Sequence, residues 1–441
     1  MPLTLLFKKT FLRAAVALAF LGSSAASYCV AESSDSEFTK LFDGKSFEGW
    51  HGRPHIHRDK YAEASEDQKA KWADELTKHW SIDGDELVND GYGAYMTTNE
   101  EFGDMEFKLK YKTVARADSG IYLRGTPQVQ IWDTTEEAKF KLGANLGSGG
   151  LWNNSPGTSG KDPLVKADKP FGEWNEVHVI QVGARTTVKL NGQLVVDHAI
   201  MENFWDRSMP LYAKGPIQLQ THGGEIRWKD IEVRRIGAEE ANAILAAKNA
   251  GGFEPIFDGK TLAGWKGAVD DYEVVDGAIQ CRKGRGGNLY TEAEMDRYVV
   301  RAEFQLPPGG NNGFAIHYSG KGNPAHDGLT ELQVLDHDHP KYGNLDPRQA
   351  HGSAYGMVAA KKGFLREVGQ WNFQEMTIDG AKIKVELNGN VILDTDLAEV
   401  TEFMGGKKHS GIDRRSGHFG FAGHSDPVRF RNLSVRKLDA N

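Results

Sequence analysis

Cysteine is nearly absent. Two residues, Cys29 and Cys281, stand in a chain of 441, so no disulfide framework supports the fold and a buried core must hold it together. Long apolar runs are missing as well. The stretch from Phe11 to Leu21 is too short to span a bilayer comfortably, and no later segment approaches about 18 consecutive apolar residues, which leaves a membrane-spanning helix without support. Basic blocks are also lacking: 53 Lys and Arg are outnumbered by 61 Asp and Glu, for a formal net charge of −8. A surface that tracks phosphates is therefore not expected, and nucleic acid is a poor partner.

What the chain does have is length for two domains of about 200 residues, each able to bury its own core. Its 51 Gly and 10 Trp suit a turn-rich β architecture better than a helical bundle. Lys8 and Lys9, the apolar stretch after them and the small residues Gly22 to Ser27 follow the order of a secretory signal peptide. Residues 1–31 are read as that signal, cleaved near Ala31, and the protein as exported to a periplasm or the cell exterior. Cys29 would suit a lipid anchor, but bulky Tyr28 precedes it where a small residue is wanted. Cleavage at Ala31 leaves Cys281 as the only thiol.

An internal repeat organises the remainder. Phe42-Asp43-Gly44-Lys45 with Gly49-Trp50 recurs as Phe257-Asp258-Gly259-Lys260 with Gly264-Trp265. Asp118-Ser119-Gly120-Ile121 is matched by Asn311-Asn312-Gly313-Phe314, Gln130 to Asp133 by Gln333 to Asp336, Trp174-Asn175 by Trp371-Asn372, and Leu190-Asn191-Gly192 by Leu387-Asn388-Gly389. Each Asn-Gly pair lies between alternating apolar residues, the signal of a type I′ hairpin. Other stretches of period two, such as 106–111 and 301–306, add strands at sandwich-like intervals. The reading is two β-sandwiches, residues 38–236 and 253–438, with a helical insertion at 59–79 and an Ala-rich helical linker at 237–252.

With these motifs placed, the chain resembles the 3-keto-disaccharide hydrolase family, also described as 3-keto-glucoside 1,2-lyase and 3-keto-2-hydroxy-glucal hydratase, and carries its pattern twice. The resemblance implies an all-β protein of two concanavalin-like jelly-roll sandwiches in tandem, acting on carbohydrate. It implies a chemistry too. A ketone at C3 acidifies the C2 hydrogen of a glycoside, so a base removes that proton, a positive or hydrogen-bonding group holds the enolate, and the C1 substituent leaves; water then adds to the unsaturated sugar.

In the second copy, Glu331 and Gln333 share one strand face, and Asp336 lies on the other face or past the strand's end. The expected catalytic residues are Glu331 and Asp336, with Arg124 and Asp133 in the first copy. The expected sugar-binding residues are Gln130, His222, Trp152, Gln333, His317, Tyr355 and His424. Each also has a plainer reading, as a solvated strand face or a structural hydrogen-bonding group. The copies diverge: Gln128 stands opposite Glu331, Arg124 opposite His317, and Gln220 opposite Ala422. His55-x-His57, and Asp336-His337-Asp338-His339 with His326, suggest a divalent metal, but neither has a recognised ligand spacing. Two other functions compete: a non-catalytic tandem carbohydrate-binding protein, and a conventional glycoside hydrolase. Against the latter, Glu294-Met295-Asp296 is followed by Val299 where such enzymes place a glutamate. The sequence leaves the oligomeric state open.

Overall fold

The structure, a computed structural model, describes residues 37–439. The expected signal segment and Cys29 lie outside the described residues. Each half of the rest is a pair of antiparallel sheets, one of eight strands and one of five, and the two halves repeat the same strand order.

In the first half the larger sheet runs Gln193–Ile200, Arg185–Leu190, Asn175–Val182, Met105–Thr113, Ile226–Arg235, Glu86–Asn89, Trp80–Asp83, and its eighth strand, Thr39–Lys40, also pairs with Ile226–Arg235. The smaller sheet runs Trp50–Arg53, Tyr95–Thr98, Gln218–Leu219, Ser119–Leu123, Thr126–Ile131. In the second half the smaller sheet runs Trp265–Gly267, Asn288–Met295, Gly417–Ala422, Asn311–Tyr318, Thr330–Leu335. Phe107, Ile121, Val129, Val179 and Trp228 fill one core, and Phe304, Phe314, Val334, Phe421 and Phe430 the other. The expected all-β tandem sandwich is what forms.

The repeated motifs are structural clasps. Asp43 and Asp258 accept backbone N–H bonds from the residues two and three ahead, at 2.7–2.9 Å, while the Gly between adopts a positive φ. The following Trp50 and Trp265 donate Nε1–H to Leu41 and Ile256 carbonyls. The Asn-Gly pairs form hairpin turns with both residues at positive φ, as type I′ requires. Asn191 Nδ2 donates to Asn175 Oδ1 at 2.8 Å, and Asn388 Nδ2 to Asn372 Oδ1 at 2.8 Å. The Trp-Asn and Leu-Asn-Gly motifs are thus two ends of one hydrogen bond, repeated in each half.

Two helices, Arg58–Ala62 and Glu66–His79, interrupt the first half. The longer one starts in a capping box between Ser65 and Gln68 and buries Leu76 over Gly52, where a Cβ would collide with the Trp72 carbonyl. Helix Ala238–Ala247 joins the halves and is not a free tether. Ala241 and Leu245 pack with Val182 of the first sandwich and Phe373 of the second. Beside them Arg185 donates to both carboxylate oxygens of Glu386, and Lys248 reaches Glu386 at 3.2 Å and Glu375 at 3.1 Å. Ala184 N–H donates to the Gly389 carbonyl across the same seam. Among the described residues, no helix is long and apolar enough to cross a membrane.

Candidate functional site

In the second sandwich, strands Asn311–Tyr318 and Thr330–Leu335 pair with Gly313 opposite Gln333 and Ala315 opposite Glu331. Glu331 and Gln333, two residues apart, therefore rise from one face. Glu331 lies over Gly313, where a Cβ would run into its carboxyl group. The glycine of the Asn-Asn-Gly motif makes room for the acid.

Above this floor is a cavity of about 530 Å³ lined by Glu331, Gln333, Tyr355, His326, Asn311 and His424 among others, of a size suited to a small organic ligand. Glu331 is the only carboxylate in its lining. Burial pushes the Glu331 acid up to about 8, and no charged group offsets that. Gln333 donates Nε2–H to Asn311 at 2.9 Å and leaves its buried Oε1 without a partner. Tyr355 accepts from Gln349 at 3.0 Å, and its backbone N–H donates to the Glu331 carbonyl, which fastens this wall to the floor. Burial lowers the His424 imidazole, with Asp426 opposing.

Two residues expected here lie elsewhere. His317 follows the floor strand's irregularity with φ of 46°, turns away from the cavity, and sets its Nε2 2.9 Å from the Asp296 carbonyl. Asp336 is past the strand's end, where Oδ2 accepts the Gly309 N–H at 2.7 Å and pins the loop that precedes Asn311. The first copy repeats both departures. Arg124, with φ of 53°, is buried and donates to the Tyr212 carbonyl at 2.9 Å and to Asp104 at 3.1 Å. Asp133 accepts the Thr135 hydroxyl and backbone N–H bonds from Arg116 and Thr135, which together hold its carboxyl low against the effect of burial. These four are structural residues at matched positions; alternation places them near the site, but a left-handed residue and a loop cap turn them out of it.

The equivalent face of the first sandwich is built differently. Gln128 donates to Gln130 Oε1, and Gln130 donates to Asp118 Oδ1 at 2.9 Å. Asp118 Oδ2 stands 3.1 Å from His222 Nδ1 and 3.1 Å from Lys139 Nζ. The hydrogen bond that His222 donates to Asp118 raises the imidazole against the effect of burial. Tyr95 and Tyr122 pack edge to face, and Tyr122 meets His55 Nδ1 at 2.7 Å. Trp152 donates Nε1–H to the Leu142 carbonyl at 2.9 Å and packs against Trp132. The sequence reading missed Asn288, His326 as a wall residue, Tyr342 and Gln349, which come from separate segments. It quoted Asp118 and Asn311 as a matched pair without assigning them a role, and their pairing was the available signal.

The histidine clusters do not assemble a metal centre. His57 Nδ1 accepts the Asp59 N–H and its Nε2 meets Tyr212, while His337 and His339 accept backbone N–H bonds from His351 and Lys341. Among the described residues no three His, Cys, Asp or Glu stand together as a ligand set.

Comparison with known proteins agrees with this duplicated architecture. The sequence matches the family described as the 3-keto-alpha-glucoside-1,2-lyase-like domain over residues 37–234 and again over 252–436. A 3-keto-disaccharide hydrolase of Bacteroides thetaiotaomicron is 27% identical over 248 residues, 47% of this chain and 85% of that protein. A putative glycosyl hydrolase of Parabacteroides distasonis aligns over 42% of this chain and 99% of its own, at 22% identity and a TM-score of 0.38. A carbohydrate-binding module from Bacillus subtilis aligns over 40% of this chain and 96% of its own, at 13% identity and a TM-score of 0.28. Through its two matched segments, which cover most of its length, the chain belongs to the 3-keto-alpha-glucoside-1,2-lyase-like domain family.

Proposed function

We propose that the second sandwich cleaves 3-keto glycosides by removing the C2 proton with Glu331, and that the chain performs this chemistry after export to the periplasm or cell exterior. The observation that carries the reading is a lone carboxyl at the floor of a polar cavity, held near neutrality by burial. A base with its pKa close to the working pH combines a usable ionised fraction with high basicity. Ionised Glu331 takes the C2 proton, the electrons form an enolate on the C3 oxygen, and re-formation of the ketone expels the aglycone from C1. The same carboxyl, now protonated, returns its proton to the leaving oxygen. Gln333 Oε1, without a partner in the protein, accepts a sugar hydroxyl, and Tyr355 offers a ring to the pyranose C–H face.

Conventional hydrolysis has less support, since it uses two carboxylates flanking the glycosidic bond and the cavity lining supplies one. The test is C2 exchange in deuterium oxide, followed by NMR with the full-length protein and a 3-keto glucoside. Glu331→Gln abolishes exchange and aglycone release while binding persists, and the wild-type kcat/KM rises with pH until it levels above about 8. Full exchange in the variant overturns the assignment.

A further inference from the structure

Removal of the C2 proton builds negative charge on the C3 oxygen, and the cavity meets that charge without a fixed cation: its lining holds no lysine or arginine among the described residues. Hydrogen-bond donors aimed at the developing charge are what remains to hold it. Most polar groups around Glu331 are already committed. Asn288 directs Nδ2 at the Tyr318 hydroxyl and the Gly322 carbonyl, Gln333 directs Nε2 at Asn311, and Tyr342 donates its hydroxyl to the Gly309 carbonyl. His326 and His424 line the wall, but among the described residues no hydrogen bond orients either ring.

Tyr355 is oriented. Gln349 ends the short turn Pro347–Gln349, where its Oε1 accepts the Asp346 N–H at 3.2 Å. That bond fixes the amide, because the other end, Nε2, then faces the Tyr355 oxygen at 3.0 Å and can only donate to it. The phenol oxygen is an acceptor on its loop side, and no protein group among the described residues takes its own hydrogen, which is left for the cavity that Tyr355 lines. The backbone keeps this hydroxyl in the neighbourhood of the base: the Tyr355 N–H donates to the Glu331 carbonyl at 2.9 Å.

The first copy lacks base and hydroxyl together. The backbone bonds from Gln130 to Gly150 and from Gln333 to Ser353 are equivalent, and they set Trp152 at the place of Tyr355. Trp152 commits its one side-chain N–H to the Leu142 carbonyl, and Gln128 stands where the second copy has Glu331. An aromatic ring is kept in both copies, so ring contact does not separate them; a carboxyl and a free hydroxyl do. We infer that the Tyr355 hydroxyl is a further catalytic group, which hydrogen-bonds the C3 oxygen as it becomes the enolate, and that Gln349 is its positioning residue. This rests on the reading of Glu331 given above. In the step the C2 proton passes to Glu331, the C–H electron pair forms the C2=C3 bond, and the carbonyl π pair moves onto oxygen. Tyr355 keeps its proton throughout, and its hydrogen bond strengthens as the charge grows. Half-burial of the residue makes that bond stronger than its equivalent in water.

The experiment uses the full-length protein with two probes. A nitrophenyl 3-keto glucoside reports kcat and KM by nitrophenol release. A 3-keto 1,5-anhydroglucitol, which has the C2 hydrogen but no leaving group, carries carbon-13 at C3 and reports both C2 exchange and the carbonyl resonance of the bound ketone. Tyr355→Phe keeps the ring and loses the donor, so kcat and C2 exchange fall roughly 100-fold while KM stays within about twofold. The carbonyl resonance moves downfield on binding to the wild type, as for a hydrogen-bonded ketone, and stays at its free position in Tyr355→Phe. Gln349→Met lowers kcat roughly tenfold, and adds nothing further in the Tyr355→Phe background because the two act through one bond. Glu331→Gln loses exchange but keeps the carbonyl shift. An unchanged kcat in Tyr355→Phe, or a rise in KM alone with the carbonyl shift kept, overturns the inference and leaves the Glu331 reading intact. Full exchange in Glu331→Gln overturns that reading instead, and a carbonyl shift abolished by Tyr355→Phe still supports the donor.

Discussion

At the scale of single residues, Glu331 ties stability to pH. Its acid shifts from an ordinary 4.5 to about 8 on folding, so the folded state binds its proton more tightly than the unfolded chain. The contribution is fully present below about 4.5 and is lost as pH rises through 8. Glu331→Gln removes that loss, and the variant is expected to gain on the order of a few kcal/mol over the wild type at pH 8 and little at pH 5, measured by thermal unfolding at both values. Gly313→Ala tests the floor from the other side. A Cβ there collides with the Glu331 carboxyl, so activity should fall roughly 100-fold while the circular dichroism spectrum stays that of a β-sandwich. Glu331 and Gln333 were readable from the sequence because a period of two places them on one face. Arg124 and His317 were not, because a single left-handed residue at a strand irregularity redirects a side chain without leaving a mark in the alternation.

At the scale of elements, the hairpins were legible since Asn-Gly chemistry is local, and the Ala-rich helix was legible for the same reason. What covers the helix was not, because the partners Val182 and Phe373 lie far away in the chain. Leu245 is fully buried between them. Leu245→Ala is expected to cost about 2–4 kcal/mol, from lost apolar burial and the cavity left behind, read by denaturant unfolding. The turn at Gly389 is equally constrained: its φ is +79° and a Cβ would meet the Val182 carbonyl. The glycine was recognised as a hairpin residue, but its role in letting two backbones touch across the seam follows only from the tertiary structure.

At the scale of the whole molecule, the repeat revealed the duplication but not the electrostatic seam. Glu386 is buried between Arg185 and Lys248, and Arg301 joins through Glu375 at 2.7 Å. Such a cluster is weak as a source of net stability but costly to break from one side. Glu386→Gln, which takes the carboxylate from half-buried Arg185 and leaves buried Lys248 with Glu375 alone, should lower stability by about 3 kcal/mol; a melting temperature equal to the wild type's would show the seam to be solvated. The proposed export makes its own prediction at this scale: the mature chain is expected to start near Glu32 and to carry one thiol, Cys281, which intact mass after alkylation under denaturing conditions would report.

The seam also bears on the order of synthesis. The first sandwich is completed well before Phe373, Glu386 and Gly389 have been made, so Val182, the linker's Leu245 and the paired cations Arg185 and Lys248 wait without their cover. During that interval the nascent chain presents a sticky, charged patch that the finished protein hides, and crowding of unfinished copies would favour their association. A slowed second half, whether through rare codons or cold, should therefore lower the yield of soluble protein more than an equal delay placed before residue 37.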